Sequence, residues 1–194
     1  SSLALELAAW GGTDLPFVDQ PPSGALQAAR DLLIALGALD GDRRITSLGR
    51  RMLGLGTHPR LAAMLLAVHD GAKKALACDL AALIEARDPL INARRDDWQA
   101  RWQALADFRA RKNSPGASHS ALSQLNTTAA QWRRRVQCNA QPPATASAHQ
   151  LGEVLLLAGI VGVDNPFGVQ LLHSVADGGQ VGGGVEVAAA GFFD

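Results

Sequence analysis

Residues 94–137 form the stretch of this sequence best suited to a chemical task. They hold nine Lys and Arg against three Asp and Glu, a net charge of +6. Most of these cations are arginines, with Arg94-Arg95 at the start and Arg133-Arg134-Arg135 near the end. A guanidinium is a planar fork of donors that holds phosphate through paired hydrogen bonds. A cluster of them points to a polyanionic partner. A plainer reading is also open. Residues 118–137 read as one helix, and cations near a helix C-terminus suit its dipole. The remainder of the chain does not share this charge. Residues 1–93 are net −1, and residues 138–194 carry no base and five acids, so the whole chain sums to +0.

Other chemistries find little support. No GxxxxGK[ST] phosphate loop is present, and Gly182-Gly183-Gly184 lacks the Lys and Ser/Thr that would bind phosphate and metal. His58, His69, His119, His149 and His173 are scattered, and His69-Asp70 has no nucleophile motif beside it. Cys78 and Cys138 have no partners at metal-ligand spacing and read as reduced thiols of a cytoplasmic protein. No catalytic residue and no metal or cofactor site is expected in the chain itself. The mean hydropathy is +0.04, and no run approaches the about 20 apolar residues that span a bilayer. No signal peptide is visible. The sequence starts on Ser1 rather than Met, so it reads as a piece of something longer.

The elements that must position the arginines are almost all helices. Ser1 or Ser2 caps a helix to Trp10, and Gly11-Gly12 ends it. Ser23 caps the next, with Leu26, Ala29, Leu33 and Leu36 at helical spacing and Gly37 as the stop. Pro59 suits a first helical turn. Residues 73–87 are apolar on several sides and so belong at the centre of a bundle. Residues 96–112, 118–137 and 146–158 follow as further helices. The four tryptophans, Trp10, Trp98, Trp102 and Trp132, fall at helical spacing with other apolar residues, which favours core positions over base stacking for most of them.

Between the second and third helices the chain has almost no slack. Ala38-Leu39 leads into the turn set Asp40-Gly41-Asp42, residues 43–46 return as a second short extended piece, and Thr46 caps a helix carrying Leu48, Met52 and Leu55. A helix feeding a tiny two-stranded wing is the outline of a winged-helix module. The expected architecture is mainly α: a degenerate winged helix over residues 1–57, a helical bundle over 58–158, and an irregular Gly/Val-rich tail over 159–194.

The segments SSLALELAAWG, PPSGALQAARDLLIALGALD, RITSLGRRM and HPRLAAMLL, in this order, resemble the region after the second motor domain of DEAH-type helicases, the bacterial HrpB type most closely. Residues 36–39 with Thr46 and Gly49 resemble that family's wing signature, and residues 59–65 the start of its ratchet, or helicase-associated, domain. ALACDLAALIEARDPL and QWRRRV continue the likeness, which covers residues 1–158.

The resemblance implies an ATP-dependent RNA helicase as parent. ATP and Mg would be bound in RecA-like motor domains that this chain lacks, so the chain alone would not hydrolyse ATP. This portion would close one side of a channel for single-stranded RNA. Arg50 and Arg51 on the helix after the wing, Arg60 at the start of the ratchet region, and the arginines at 94, 95 and 133–135 would then touch phosphates, or brace the motor domains. The tail departs from the family, which continues with Tyr-Pro-Asp-Arg; this sequence has no Tyr. A departure of reading frame near Gly159 would explain that.

Two other classes remain open on the residues alone. A stand-alone winged-helix DNA-binding regulator would need a basic recognition helix. A helical protein-docking module would bind no nucleic acid.

Overall fold

The computed structural model describes residues 2–11, 23–91 and 97–158. The tail beyond residue 158 and Arg94-Arg95 lie outside the described residues. The chain divides into two compact units, Ser1–Ala63 and Met64–Asp194. The described residues are helical apart from turns and two isolated bridges.

In the first unit, α1 (Ser2–Trp10) packs on α2 (Ser23–Ala35) and α3 (Ser47–Leu55). Ala4, Leu5 and Leu7 of α1, Leu33 of α2, and Met52 and Leu55 of α3 are buried. Helix α2 ends because Gly37 turns left-handed, at φ +70. The N–H groups of Ala38 and Leu39 then both donate to the Leu33 carbonyl, at 2.8 and 3.1 Å. The chain reverses through a tight hairpin. The Asp40 N–H donates to the Arg44 carbonyl and the Arg43 N–H to the Asp40 carbonyl, each at 2.9 Å. The Arg44 N–H donates to Asp40 Oδ1 at 2.8 Å. The expected two-stranded wing reduces to a single antiparallel bridge, Leu39 to Ile45. With so few residues between Gly37 and the α3 cap, there is no length for a longer ladder.

Thr46 locks this hairpin to α3. Its hydroxyl donates to the Gly37 carbonyl at 2.7 Å and accepts the Gly49 N–H at 3.0 Å, the N-cap bond. Gly49 sits where the helix presses on the hairpin. A Cβ there would overlap the Ala38 carbonyl oxygen and lie 2.9 Å from Ile45 Cγ1. The glycine is required by this close approach and not by its dihedral angles.

Helix α4 (Pro59–Ala67) contains the boundary between the units. Leu61, Met64 and Leu65 on it, and Val68 just beyond, are buried.

The second unit is built around α5 (Gly71–Glu85), on which residues 75–83 are all buried. It packs against α6 (Trp98–Arg109), α7 (His119–Arg135) and α8 (Ala148–Leu157). A helix apolar on every side belongs in the middle of a bundle, as its sequence indicates. The helix starts are set locally. Asp70, Asp97, Ser118 and Ser147 each accept an N–H from the first turn of α5, α6, α7 and α8. Gln150 completes a capping box with Ser147. The loop after α5 pairs with the loop before α7 through the Leu90–Ala117 bridge. Trp102 and Trp132 are core residues, whereas Trp10 is 70 % exposed. Cys78 and Cys138 are free thiols, and burial, the largest influence, pushes Cys78 up to about 12.

Candidate nucleic-acid interface

The arginines divide into those held by acids and those that are not. At the centre of the second unit, Asp79 of α5 is completely buried. A carboxylate in that position needs full compensation, because removing it from water is costly. Four donors reach it. Arg109 Nη1 and Nη2 bind Oδ2 and Oδ1 at 2.7 Å each, as a fork on both oxygens. Trp102 Nε1 donates to Oδ2 at 3.1 Å, and Arg133 Nη1 to Oδ1 at 3.4 Å. Four donors match the capacity of a carboxylate, about four lone-pair sites. Arg109 Nε is in turn taken by Asn126 Oδ1 at 2.8 Å. One acid on α5 thus ties down α6 and α7 together.

A second brace holds the start of α6. Arg101 is buried, and its Nη2 and Nε bind the two oxygens of Asp88 at 2.6 and 3.2 Å. Its Nη1 donates to the Asp97 carbonyl at 2.9 Å. Burial works to raise Asp88. The Arg101 hydrogen bond, the Leu90 N–H and the Arg101 charge outweigh it, and Asp88 lies below its ordinary 3.8. Lys73 adds a third link, from α5 to Glu153 of α8 at 2.8 Å.

This changes the meaning of the basic stretch. Of the cations between 94 and 137, Arg101, Arg109 and Arg133 bind acids within the bundle. The Arg133-Arg134-Arg135 run does not act as one cluster, because consecutive helical residues point about 100° apart. Arg133 turns inward to Asp79, and Arg135 lies over the Trp132 ring at 5.1 Å. Arg134 is exposed. In the first unit Arg50 and Arg51 are exposed on α3. Arg60, in the first turn of α4, is half-buried; its backbone N–H donates to His58 Nδ1 at 3.3 Å. Burial lowers both His58 and Arg60 from their ordinary values.

Sequence reasoning missed the bracing role of Arg101 and Arg109. The signal was a lone acid, Asp79, inside the apolar run ALACDLAAL, which has to find a cation somewhere. Which of the arginines answers it depends on the fold. No group of three or more His, Cys, Asp or Glu capable of holding a metal occurs among the described residues. No described helix is long and apolar enough to cross a membrane.

Residues 29–56, which hold the second half of α2, the hairpin and α3, match the winged-helix helicase-associated domain (HA2). The ATP-dependent RNA helicase HrpB of Escherichia coli (strain K12) is 38% identical over 116 residues, covering 54% of this chain and 14% of that protein. The chain therefore spans only a small part of its curated relative. A crystal structure of E. coli HrpB described as a DExH-box NTPase matches over 81% of this chain and 17% of its own, with TM-score 0.56 and 30% identity. Another, described as a DEAH/RHA helicase, matches over 81% of this chain and 18% of its own, with TM-score 0.55 and 29% identity. The winged-helix match, the sequence relative and the solved structures agree: this chain is similar to part of the C-terminal region of HrpB-type DEAH helicases.

Proposed function

We propose that the chain is an accessory module of an ATP-dependent RNA helicase. It forms one wall of a channel for single-stranded RNA and couples that wall to RecA-like motor domains, where ATP and Mg act. The protein works in the cytoplasm. The reading is carried chiefly by one observation: the helicase-associated winged helix and a helical unit occur in one chain that matches HrpB over most of its length. Exposed guanidiniums on both units support the RNA contact. Arg50 and Arg51 stand on α3, and Arg134 and Arg135 near the end of α7. Arg60, and Arg94 and Arg95 outside the described residues, complete the proposed set. Arginine–phosphate contacts ignore base identity, as a translocating motor requires, and they weaken with salt through counterion release.

Fluorescence anisotropy with labelled oligouridine, across about 50 to 200 mM salt, tests this. The expected result is weak, sequence-blind, salt-sensitive single-strand binding, reduced in the Arg51→Gln/Arg134→Gln variant. The isolated chain should not hydrolyse ATP. A strong sequence preference for duplex DNA would favour a DNA-binding regulator. Failure to bind any nucleic acid at low salt would favour a protein-docking module.

A further inference from the structure

The first unit contains a cleft of about 440 Å³ whose walls come from α1, α2, the hairpin and α3. Arg30 of α2, Arg43 and Arg44 of the hairpin turn, and Arg50 of α3 line it, and Leu7 of α1 contributes to its apolar wall. Among the described residues, the only acid lining it is Asp42. That acid pairs loosely with Arg44 at 3.7 Å, with both side chains more than three-quarters exposed. Such a pair is weak and exchanges easily with another anion. Arg30, Arg43 and Arg50 make no ion pair among the described residues. The described lining of the cleft therefore carries a surplus of three positive charges. This contrasts with the second unit, where buried guanidiniums are matched to carboxylates.

The positions also look built rather than incidental. Arg43 has a left-handed backbone, at φ +64, which residues with a Cβ rarely adopt. The Arg43 N–H to Asp40 carbonyl bond and the Arg44 N–H to Asp40 Oδ1 bond hold the turn in that form. Residues kept in such conformations gather at binding sites. The Thr46 and Gly49 contacts then fix the turn against α3, and so fix Arg43 and Arg44 relative to Arg50. Several guanidiniums converging from separate elements on one cleft form a receptor for more than one phosphate.

We propose that this cleft is a phosphate-binding site of the winged-helix unit, and that it takes consecutive phosphates of a single-stranded nucleic acid. Arg30, Arg43, Arg44 and Arg50 are its binding residues. The proposal rests on the accessory-module reading for the identity of the strand, but it uses three arginines that reading does not need.

The test is anisotropy of the full chain with labelled oligouridine of about 12 nucleotides, comparing two variants. Arg30→Gln/Arg43→Gln/Arg44→Gln removes cleft charge. Arg51→Gln/Arg134→Gln removes exposed arginines outside it. If the cleft binds the strand, the triple variant loses at least about tenfold in affinity at low salt. Its log–log salt slope becomes shallower by about two, the value for three lost phosphate contacts on a single strand. Hydrogen exchange of α1, α2 and α3 should be unchanged, which separates lost binding from lost folding. Unchanged affinity and slope in the triple variant overturn the cleft. If the Arg51/Arg134 variant alone loses binding, the accessory-module reading stands and the cleft falls. If neither the parent chain nor either variant binds oligouridine, both fall. Tripolyphosphate at matched ionic strength is the other arm. If it binds the parent chain more tightly than oligouridine does, and only the cleft variant loses it, the occupant is a small phosphorylated molecule and the strand assignment is overturned.

Discussion

The two units use the same residue type in opposite ways. In the second, Arg101, Arg109 and Arg133 are drawn into the bundle and matched to Asp88 and Asp79. In the first, Arg30, Arg43 and Arg50 line a cleft and make no ion pair among the described residues. The bundle is large enough to bury a charge and surround it with donors. The winged helix buries no charged side chain among its described residues; around its apolar core the hairpin is held by a threonine cap, a single bridge, and a glycine against a carbonyl. A count of positive charge therefore misleads. The stretch with the highest net charge spends several of its cations on internal bonds, while a region of net −1 presents a concentrated positive surface.

The largest expected effect breaks the bundle side of this contrast. Asp79→Ala leaves Arg109 and Arg133 facing a buried gap. Removing one member of a buried charge cluster costs about 3–5 kcal/mol. Denaturant unfolding, with hydrogen exchange to locate the loss, should show α5, α6 and α7 losing protection together while α1–α3 keep theirs. A loss below about 1 kcal/mol would mean that Asp79 does not hold the bundle.

The next effect belongs to the winged helix. Gly49→Ala places a methyl into the Ala38 carbonyl and Ile45. Overpacking of this kind costs about 1–3 kcal/mol, and the exchange pattern should invert, with the hairpin and α3 loosened and α5 unaffected. Thr46→Ala removes the cap and the bond to Gly37, and should cost about 1 kcal/mol in the same region. Equal destabilisation of both units by either change would erase the distinction between them.

The smallest effect is a pH dependence. Asp88 titrates lower in the folded chain than its ordinary 3.8. Its contribution is therefore fully present above 3.8, and is lost as pH falls from there through the folded value. Asp88→Asn should remove that part of the acid sensitivity, seen as a flatter stability profile below pH 4 in hydrogen exchange at α6. His58 acts in the same direction in a higher window. Its folded value lies below 6.5, so stability falls as pH drops from 6.5 through that value. His58→Gln should flatten the profile there.

Much of the fold was legible because its signals are local. Gly37 ends α2 through a left-handed dihedral that glycine adopts without strain. Thr46, the cap expected for α3, bonds the N–H three positions on; Asp70, Asp97, Ser118 and Ser147 cap their helices in the same local way, though the sequence reading did not single them out as caps. The all-round apolar character of residues 73–87 marked α5 as central, and the structure buries it on all sides. The wing was legible as a turn, and its shortness followed from the residues between Gly37 and Thr46. The arginine site was legible only in part. Arg50 was singled out on family resemblance, but its cleft partners Arg30, Arg43 and Arg44 were not.

The sequence by itself determined where helices begin and end, which helix lies at the centre, and which family the chain resembles. These depend on contacts across one to four residues, or on ordered motifs. Only the tertiary structure decided what each arginine does. A guanidinium at the end of a long side chain reports its role through whatever carboxylate or space it reaches, and those lie 13 to 54 positions away for Asp88 and Asp79. Sequence spacing carries no information about that distance, because it is set by how the helices pack.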